Sequence, residues 1–260
     1  MNQVKKRVKK QKGGGRTQIL SRRPLQDLVS QLLNRIRQYA VFFALTLLAL
    51  IFSVVLQYFP GAYFHKFFGD ANPFLVFVLL SGFGAAALWS LQTGYGFEVF
   101  RGRATLRGIA LSAVFATALG VAIVIADVVI RYPQDTNVPI PQALLFYPAI
   151  GFVAEIVFHL VPLAILLLVL KPLVRRLGRE RVIWIGMLLV AASEPTFQVI
   201  FGGEAFTWGD AYTWIHIFII SILQLYVFLH FDFVAMYVFR MIYYLHWHIL
   251  WGMARLDLLF

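Results

Sequence analysis

Residues 151–162 read GFVAEIVFHLVP, a run of hydrocarbon broken by Glu155 and His159. The two are one helical turn apart, so on a helix they share a face. A carboxylate beside an imidazole can hold and pass a proton as general base and acid. The same two groups can also ligate a divalent metal. Other ionisable groups lie in equally apolar surroundings. Glu194 precedes Pro195 in AASEPTFQV, where a proline bends a helix and frees a carbonyl. Asp232, Arg240, Tyr244, His248 and Gly252 recur at spacings of four and eight and form one helical stripe; His246 points off it, which makes His248 the inward candidate. Asp127 lies near the end of an apolar run and reads as an interface residue. The least specific reading is a structural polar network, Glu155 with His159 and Arg240 either snorkelling or pairing with Asp232. Three helices that each offer polar groups at comparable depth favour a shared site. Its candidate catalytic residues are Glu155, His159, Glu194 and His248. The same four would be the ligands of a divalent metal, which their types allow and no spacing proves. The sequence requires no cofactor.

These residues need a scaffold that carries them inside an apolar medium. The chain has 260 residues, 60% hydrophobic, 16% aromatic and 13% charged. A soluble domain this apolar would lack polar surface to cover itself. The expected fold class is all-α, a polytopic transmembrane bundle. A span needs about 20 mostly apolar residues, and seven segments qualify: 39–59, 72–92, 106–130, 142–170, 182–202, 212–230 and 233–252. The turn LHFDF at 229–233 is the tightest connection this map demands. Connections 101–107 and 171–181 are arginine-rich, with Arg101, Arg103 and Arg107 in one and Lys171, Arg175, Arg176, Arg179 and Arg181 in the other. Those between carry Lys66, carry Arg131, or have no basic residue. This alternation predicts that the rich connections and the N-terminus are cytoplasmic.

The formal net charge is +11, and eleven of the 23 Lys and Arg lie in residues 1–37 against one acid, Asp27. Residues 1–18 read as a disordered basic arm. Residues 19–38 follow as an amphipathic helix, with Leu25, Leu28, Val29, Leu32, Leu33 and Ile36 on one face. The expected partner of this region is the anionic headgroup surface, at about 1 kcal/mol per basic residue; no nucleic acid is expected. The transmembrane domain then occupies 39–252, and 253–260 form a short tail. The chain is expected in a prokaryotic inner membrane.

Several chemistries are excluded. With no cysteine there is no disulfide, thiolate nucleophile or Cys-ligated metal. No H-E-x-x-H occurs. LLSGFG has Leu79 where a G-x-S-G motif needs glycine. There is no G-x-G-D, no H-x-x-H-H cluster and no glycine-rich nucleotide cradle.

AEIVFHLVP resembles the first motif, E-E-x-x-x-R, of the CPBP family of CAAX proteases and bacteriocin-processing enzymes, also called Abi. Ala154 takes the first Glu position, Glu155 the second, Phe158 the aromatic and His159 the Arg. YVFRMIYYLHWHILWG is similar to the family's last segment, H-x-x-x-N, with His248 as the His and Gly252 in the Asn place. The middle motif, F-x-x-x-H, has no clean counterpart; VAASEPTFQ stands there, with Glu194 its nearest polar residue. The resemblance covers roughly 142–252. It implies a helix bundle around a polar cavity, in which Glu155 activates water and His248 stabilises an oxyanion as a peptide bond of a membrane-associated substrate is hydrolysed. The departures in each motif keep other functions open. One is a catalytically degenerate scaffold, immunity or partner-binding protein; the other, with Glu155, Glu194 and Asp127, is an ion- or proton-coupled carrier.

Overall fold

A computed structural model describes residues 23–61, 63–200 and 206–260. The expected basic arm, the start of the amphipathic segment and the last residues of the expected span 182–202 lie outside this set. Among the described residues the secondary structure is helical throughout, with no strand. The chain divides into two units, Met1–Ile36 and Arg37–Phe260. In the first, Val29, Leu32, Leu33 and Ile36 are exposed. The second holds the helix bundle and every buried polar residue named above.

Among the described residues six helices are long and apolar enough to cross a membrane. They are α1 (Arg23–Leu56, apolar from Val29), α2 (Pro73–Tyr95), α3 (Arg103–Ile130), α4 (Ala143–Val169), α5 (Arg179–Ile200) and α6 (Trp208–His230). Each start and stop has a local cause. Asn72 caps α2 by accepting from Phe74 N, with Pro73 in the first turn, and Gly96 ends it at φ 72°. Thr207 and Asp210 form a reciprocal capping box on α6. α7 (233–259) is as long but carries more polar residues, and a π turn, Leu245–Leu250, interrupts it.

Contacts at its two ends show that α7 traverses the bundle. At one end Phe233 N and Val234 N donate to Glu98 O (3.0 Å) and Val99 O (3.1 Å), in the connection between α2 and α3. The tight turn after α6 is therefore closed by backbone hydrogen bonds, and Asp232 caps α7 through Ala235 N (2.9 Å). At the far end Arg255 pairs with Asp127 in the last turn of α3. The same two ends sort the other connections. Tyr95, at the end of α2, donates to Leu167 O near the end of α4 (2.6 Å) and lies under Arg179 at the start of α5. At the far end Tyr132 and Thr213 share a hydrogen bond, and Phe64 packs on Phe146. The arginine-rich connections thus share one end of the bundle.

α3 and α7 run side by side in parallel along a seam of small residues. Gly108, Ser112, Ala116 and Gly120, spaced by four, are buried on one face of α3. Ser112 Oγ donates to Ala235 O (3.0 Å). A Cβ on Gly108 would sit 2.7 Å from Ala235 Cβ, and one on Gly120 2.7 Å from His246 Cβ. Small residues let backbones approach closely where lipid supplies no hydrophobic drive between helices. The exposure pattern is that of a protein in lipid: Leu79, Phe83, Val114 and Ile125 are more than 60% exposed, whereas Asp127, Glu155, His159 and Arg255 are fully buried. Gly108→Ile is expected to wedge the seam apart and destabilise the fold by about 1–3 kcal/mol or more. Gly82→Ala, where nothing lies within 4 Å, is expected to be neutral. Thermal unfolding in detergent compares the two, and equal stability would remove the seam from the account.

Candidate functional site

Four helices place the polar residues, and three of them are locally deformed at that level. α4 passes through a π turn at Glu155–Leu160, just before Pro162. Pro162 lacks the N–H that in α register would reach Phe158 O. Ser193 Oγ lies 3.3 Å from that carbonyl, at the point where α5 breaks at Ala192 and restarts with Ser193. The break sets Glu194 facing α7. α7 has its own π turn one residue beyond Tyr244. Such turns rotate side chains away from the regular helical face.

At the centre is Arg240. Its Nε donates to Glu155 Oε1 at 2.6 Å. Its Nη1 donates to Glu194 Oε1 (2.9 Å) and the Tyr244 hydroxyl (3.2 Å). Its Nη2 donates to Glu194 Oε2 (2.8 Å) and Gln224 Oε1 (3.4 Å). All five N–H donors of the guanidinium are therefore placed, and the contact with Glu194 is bidentate. Gln224 Nε2, from α6, also donates to Glu155 Oε1. The other oxygen, Oε2, accepts from His159 Nδ1 at 2.6 Å. Glu155 and His159 have no exposed surface, and Glu194 and Arg240 almost none.

Glu155, His159 and Glu194 thus belong to one cluster, as the sequence suggests, but the cation that joins the two carboxylates is Arg240. Arg240 does not pair with Asp232. Asp232 instead caps α7 and accepts from Thr105 Oγ1 and from Arg101 N (2.9 Å). His248 also stands apart from the carboxylates. Its Nδ1 donates to Asn137 Oδ1 (2.7 Å), in the connection between α3 and α4. Its ring stacks on Tyr147 at 4.4 Å and meets Tyr244 edge-on at 4.9 Å. Tyr244 therefore links His248 to the Arg240 cluster. Gly252 forms a notch for Asn137: a Cβ there would lie 3.0 Å from Asn137 Cγ. Among the described residues no three His, Asp or Glu side chains are grouped to hold a metal ion.

Asp127 lies in the last turn of α3 and is covered by protein. It is fully buried and accepts from Arg255 Nε (2.7 Å), Trp251 Nε1 (2.7 Å) and Tyr132 N (2.8 Å). Arg255 also donates to Pro133 O and Tyr132 O. This cluster ties the far end of α7 to α3.

Two buried nitrogens beside the Arg240 cluster have no hydrogen-bond partner among the described residues: His159 Nε2 and Asn137 Nδ2. Buried polar atoms are rarely left so, and each such atom calls for water, ligand or function. The sequence reading missed Gln224 and Asn137. Gln224 has a signal, a lone amide in IISILQLYVFLH; Asn137, in a connection, has none.

The cluster makes a stability prediction. Arg240→Met removes the cation shared by two buried carboxylates and is expected to cost about 3–5 kcal/mol. Adding Glu155→Gln and Glu194→Gln to that variant is expected to restore much of the loss, because the buried charge is then gone. Thermal unfolding of the single and triple variants in detergent measures this; a triple variant no more stable than the single one would contradict charge as the cause.

Comparisons with protein-family models, curated proteins and solved structures gave no match to this chain.

Proposed function

We propose that the chain is an intramembrane endopeptidase of CPBP type that acts on a membrane-associated peptide or protein, with its working base moved from Glu155 to His159. The observation that carries this reading is the state of the imidazole. Nδ1 is committed to Glu155, while Nε2 is buried and free of protein partners. Both Glu155 oxygens are engaged, so Glu155 is placed to orient a base rather than to be one. In this scheme His159 Nε2 takes a proton from water, and the resulting hydroxide attacks the peptide carbonyl. Glu155 stabilises the imidazolium, which then returns the proton to the leaving amine. Asn137 supports the family reading in a second way. Gly252 stands where the resembled motif has asparagine, and Asn137 fills the space that Gly252 leaves. The amide lost from α7 is returned by the neighbouring connection. Asn137 and His248 would then polarise the substrate carbonyl.

A second reading rests on the same cluster. Every donor of Arg240 and both oxygens of Glu155 and Glu194 have partners, which suits a closed structural unit in a scaffold or partner-binding protein. One experiment separates the two. A host lacking the protein is supplied with wild type, His159→Gln or Glu155→Gln at matched levels, and membrane-protein peptide termini are quantified. The peptidase reading expects termini specific to wild type, reduced about 10²–10⁴-fold by His159→Gln. Absence of such termini, with the host phenotype restored by all three, selects the scaffold.

We further propose that the arginine-rich end faces the cytoplasm of a prokaryotic inner membrane. The chain has no native cysteine, so single cysteines report sidedness. Arg176→Cys should label from inside and Trp208→Cys, 91% exposed at the other end, from outside. Reversed labelling would invert the orientation. Gly209 is a poorer probe, because a Cβ there would lie 3.1 Å from Ile130 Cγ2.

A further inference from the structure

We propose that the turn at Gly96, with Arg101 and Arg179, is a binding site for a phosphate group, independent of the Arg240 cluster and of the peptidase reading. Segment 97–101 is held on every side. Gln38 Oε1 accepts from Val99 N (2.6 Å) and Phe100 N (2.9 Å), and Gln38 Nε2 donates to Phe100 O (2.8 Å). The first N–H groups of α7 bind Glu98 O and Val99 O, and Asp232 takes Arg101 N. The platform is thus rigid before any ligand arrives.

Two guanidinium groups converge on this platform. Arg101 Nη2 donates to Gly96 O (2.9 Å) and Nη1 to His230 O (3.2 Å). Arg179 lies over the Tyr95 ring at 5.7 Å, and its Nη2 is 3.7 Å from where a Cβ on Gly96 would be. The Tyr95 hydroxyl is fixed on Leu167 O, so the ring cannot follow Arg179 away. Like charges gathered on one residue repel unless an anion lies between them. Glu98 Oε1 forms an ion pair with Arg101 Nε at 3.6 Å, but among the described residues that Nε makes no hydrogen bond, and one carboxylate stands against two guanidinium groups. Gln92 Nε2, one turn back on α2, is a second buried donor without a partner. Across 96–107 and 171–181 the balance is eight basic side chains to two acidic, Glu98 and Glu180.

Arg179 is also the first residue of α5. A cation there opposes the helix dipole, whereas an anion is favoured by the same N-terminus. Arginine forks match phosphate oxygens. The site lies at the arginine-rich end of the bundle, with Arg179 over the Tyr95 ring, and basic and aromatic residues at a helix end suit a headgroup surface. The shared chemistry is a phosphate, whether of a lipid headgroup or free.

The test uses the full chain in nanodiscs containing phosphatidylglycerol and phosphatidylcholine, read by native mass spectrometry after mild delipidation. Wild type should retain phosphatidylglycerol selectively. Arg179→Gln should lower that retention about fivefold, and Arg176→Gln, a charge change at the same end away from Gly96, should leave it unchanged. Thermal stabilisation of delipidated protein by inorganic phosphate, lost in Arg179→Gln, would support the site and assign it to free phosphate. Retained lipid that phosphate does not displace would support it and assign it to a headgroup. Equal losses in the two variants would reduce the effect to general surface charge and overturn the proposal, as would retention of neither anion. Arg101 is not used as the probe, because its contacts with His230 O and Gly96 O hold the turn itself.

Discussion

The rest of the bundle depends on one guanidinium held between two carboxylates in an apolar interior. Arg240, Glu155 and Glu194 come from α7, α4 and α5, and Gln224 adds α6. Ions in such a medium have no solvent to fall back on, so the cost of separating them far exceeds their attraction in water. Sliding α7 by one turn, about 5.4 Å, would take Arg240 from both carboxylates and leave Glu155 only His159 and Gln224. Hydrocarbon packing discriminates poorly between such registers, because one leucine face resembles the next. The ion cluster supplies a register that packing alone does not, and the π turn of α4 and the break in α5 lie at its level.

The same logic recurs at both ends of α7. Asp232 joins its start to Thr105 and to the backbone of Arg101, and Arg255 joins its last turns to Asp127. α7 is therefore pinned at its start, near its middle and at its end, each time by a buried charge. This explains how a helix with more polar residues than its neighbours can cross the bundle. Its polar groups are turned to partners, and the small-residue seam of α3 brings a shielding helix within backbone contact. The two features need each other. A bulky seam would hold α7 too far from α3 for Asp127 to reach Arg255, and an unpaired α7 would gain nothing from the seam.

Much of this was legible in the sequence because lipid constrains composition so strongly. Six of the seven apolar segments became helices long and apolar enough to span, and the seventh follows the tight turn at 229–233 as a helix of similar length with more polar residues. Glu155, His159 and Glu194 stood out because charge in a hydrocarbon run has few meanings. The partner of Arg240 was misread. Asp232 lies on the same stripe, and periodicity weighs residues of one helix but not the distance to another. Asp127 looked peripheral because position along a helix does not report how the next connection folds over its end. His248 was assigned to the carboxylates by helical phase, yet a connection carrying Asn137 takes it. The π turns were hidden too, since a one-residue widening leaves no mark in composition. The Gly108, Ser112, Ala116, Gly120 spacing was present in the sequence and needed only the question of which helices approach most closely.

The saturated centre and the unsatisfied edge of the cluster have different consequences. A guanidinium with every donor placed, facing carboxylates with every oxygen engaged, is a poor place for a reaction, because each step would first break a strong contact. His159 Nε2 and Asn137 Nδ2 lie outside that shell, without hydrogen-bond partners among the described residues. They are also held by the shell, His159 directly through Glu155 and Asn137 through His248 and Tyr244. Preorganisation requires this division: the groups that fix geometry must be bound, and the groups that act must be free. The imidazole in AEIVFHLVP therefore gains its chemical interest from being the end of an ion network rather than its centre, and the adjacent glutamate from being too well partnered to act alone.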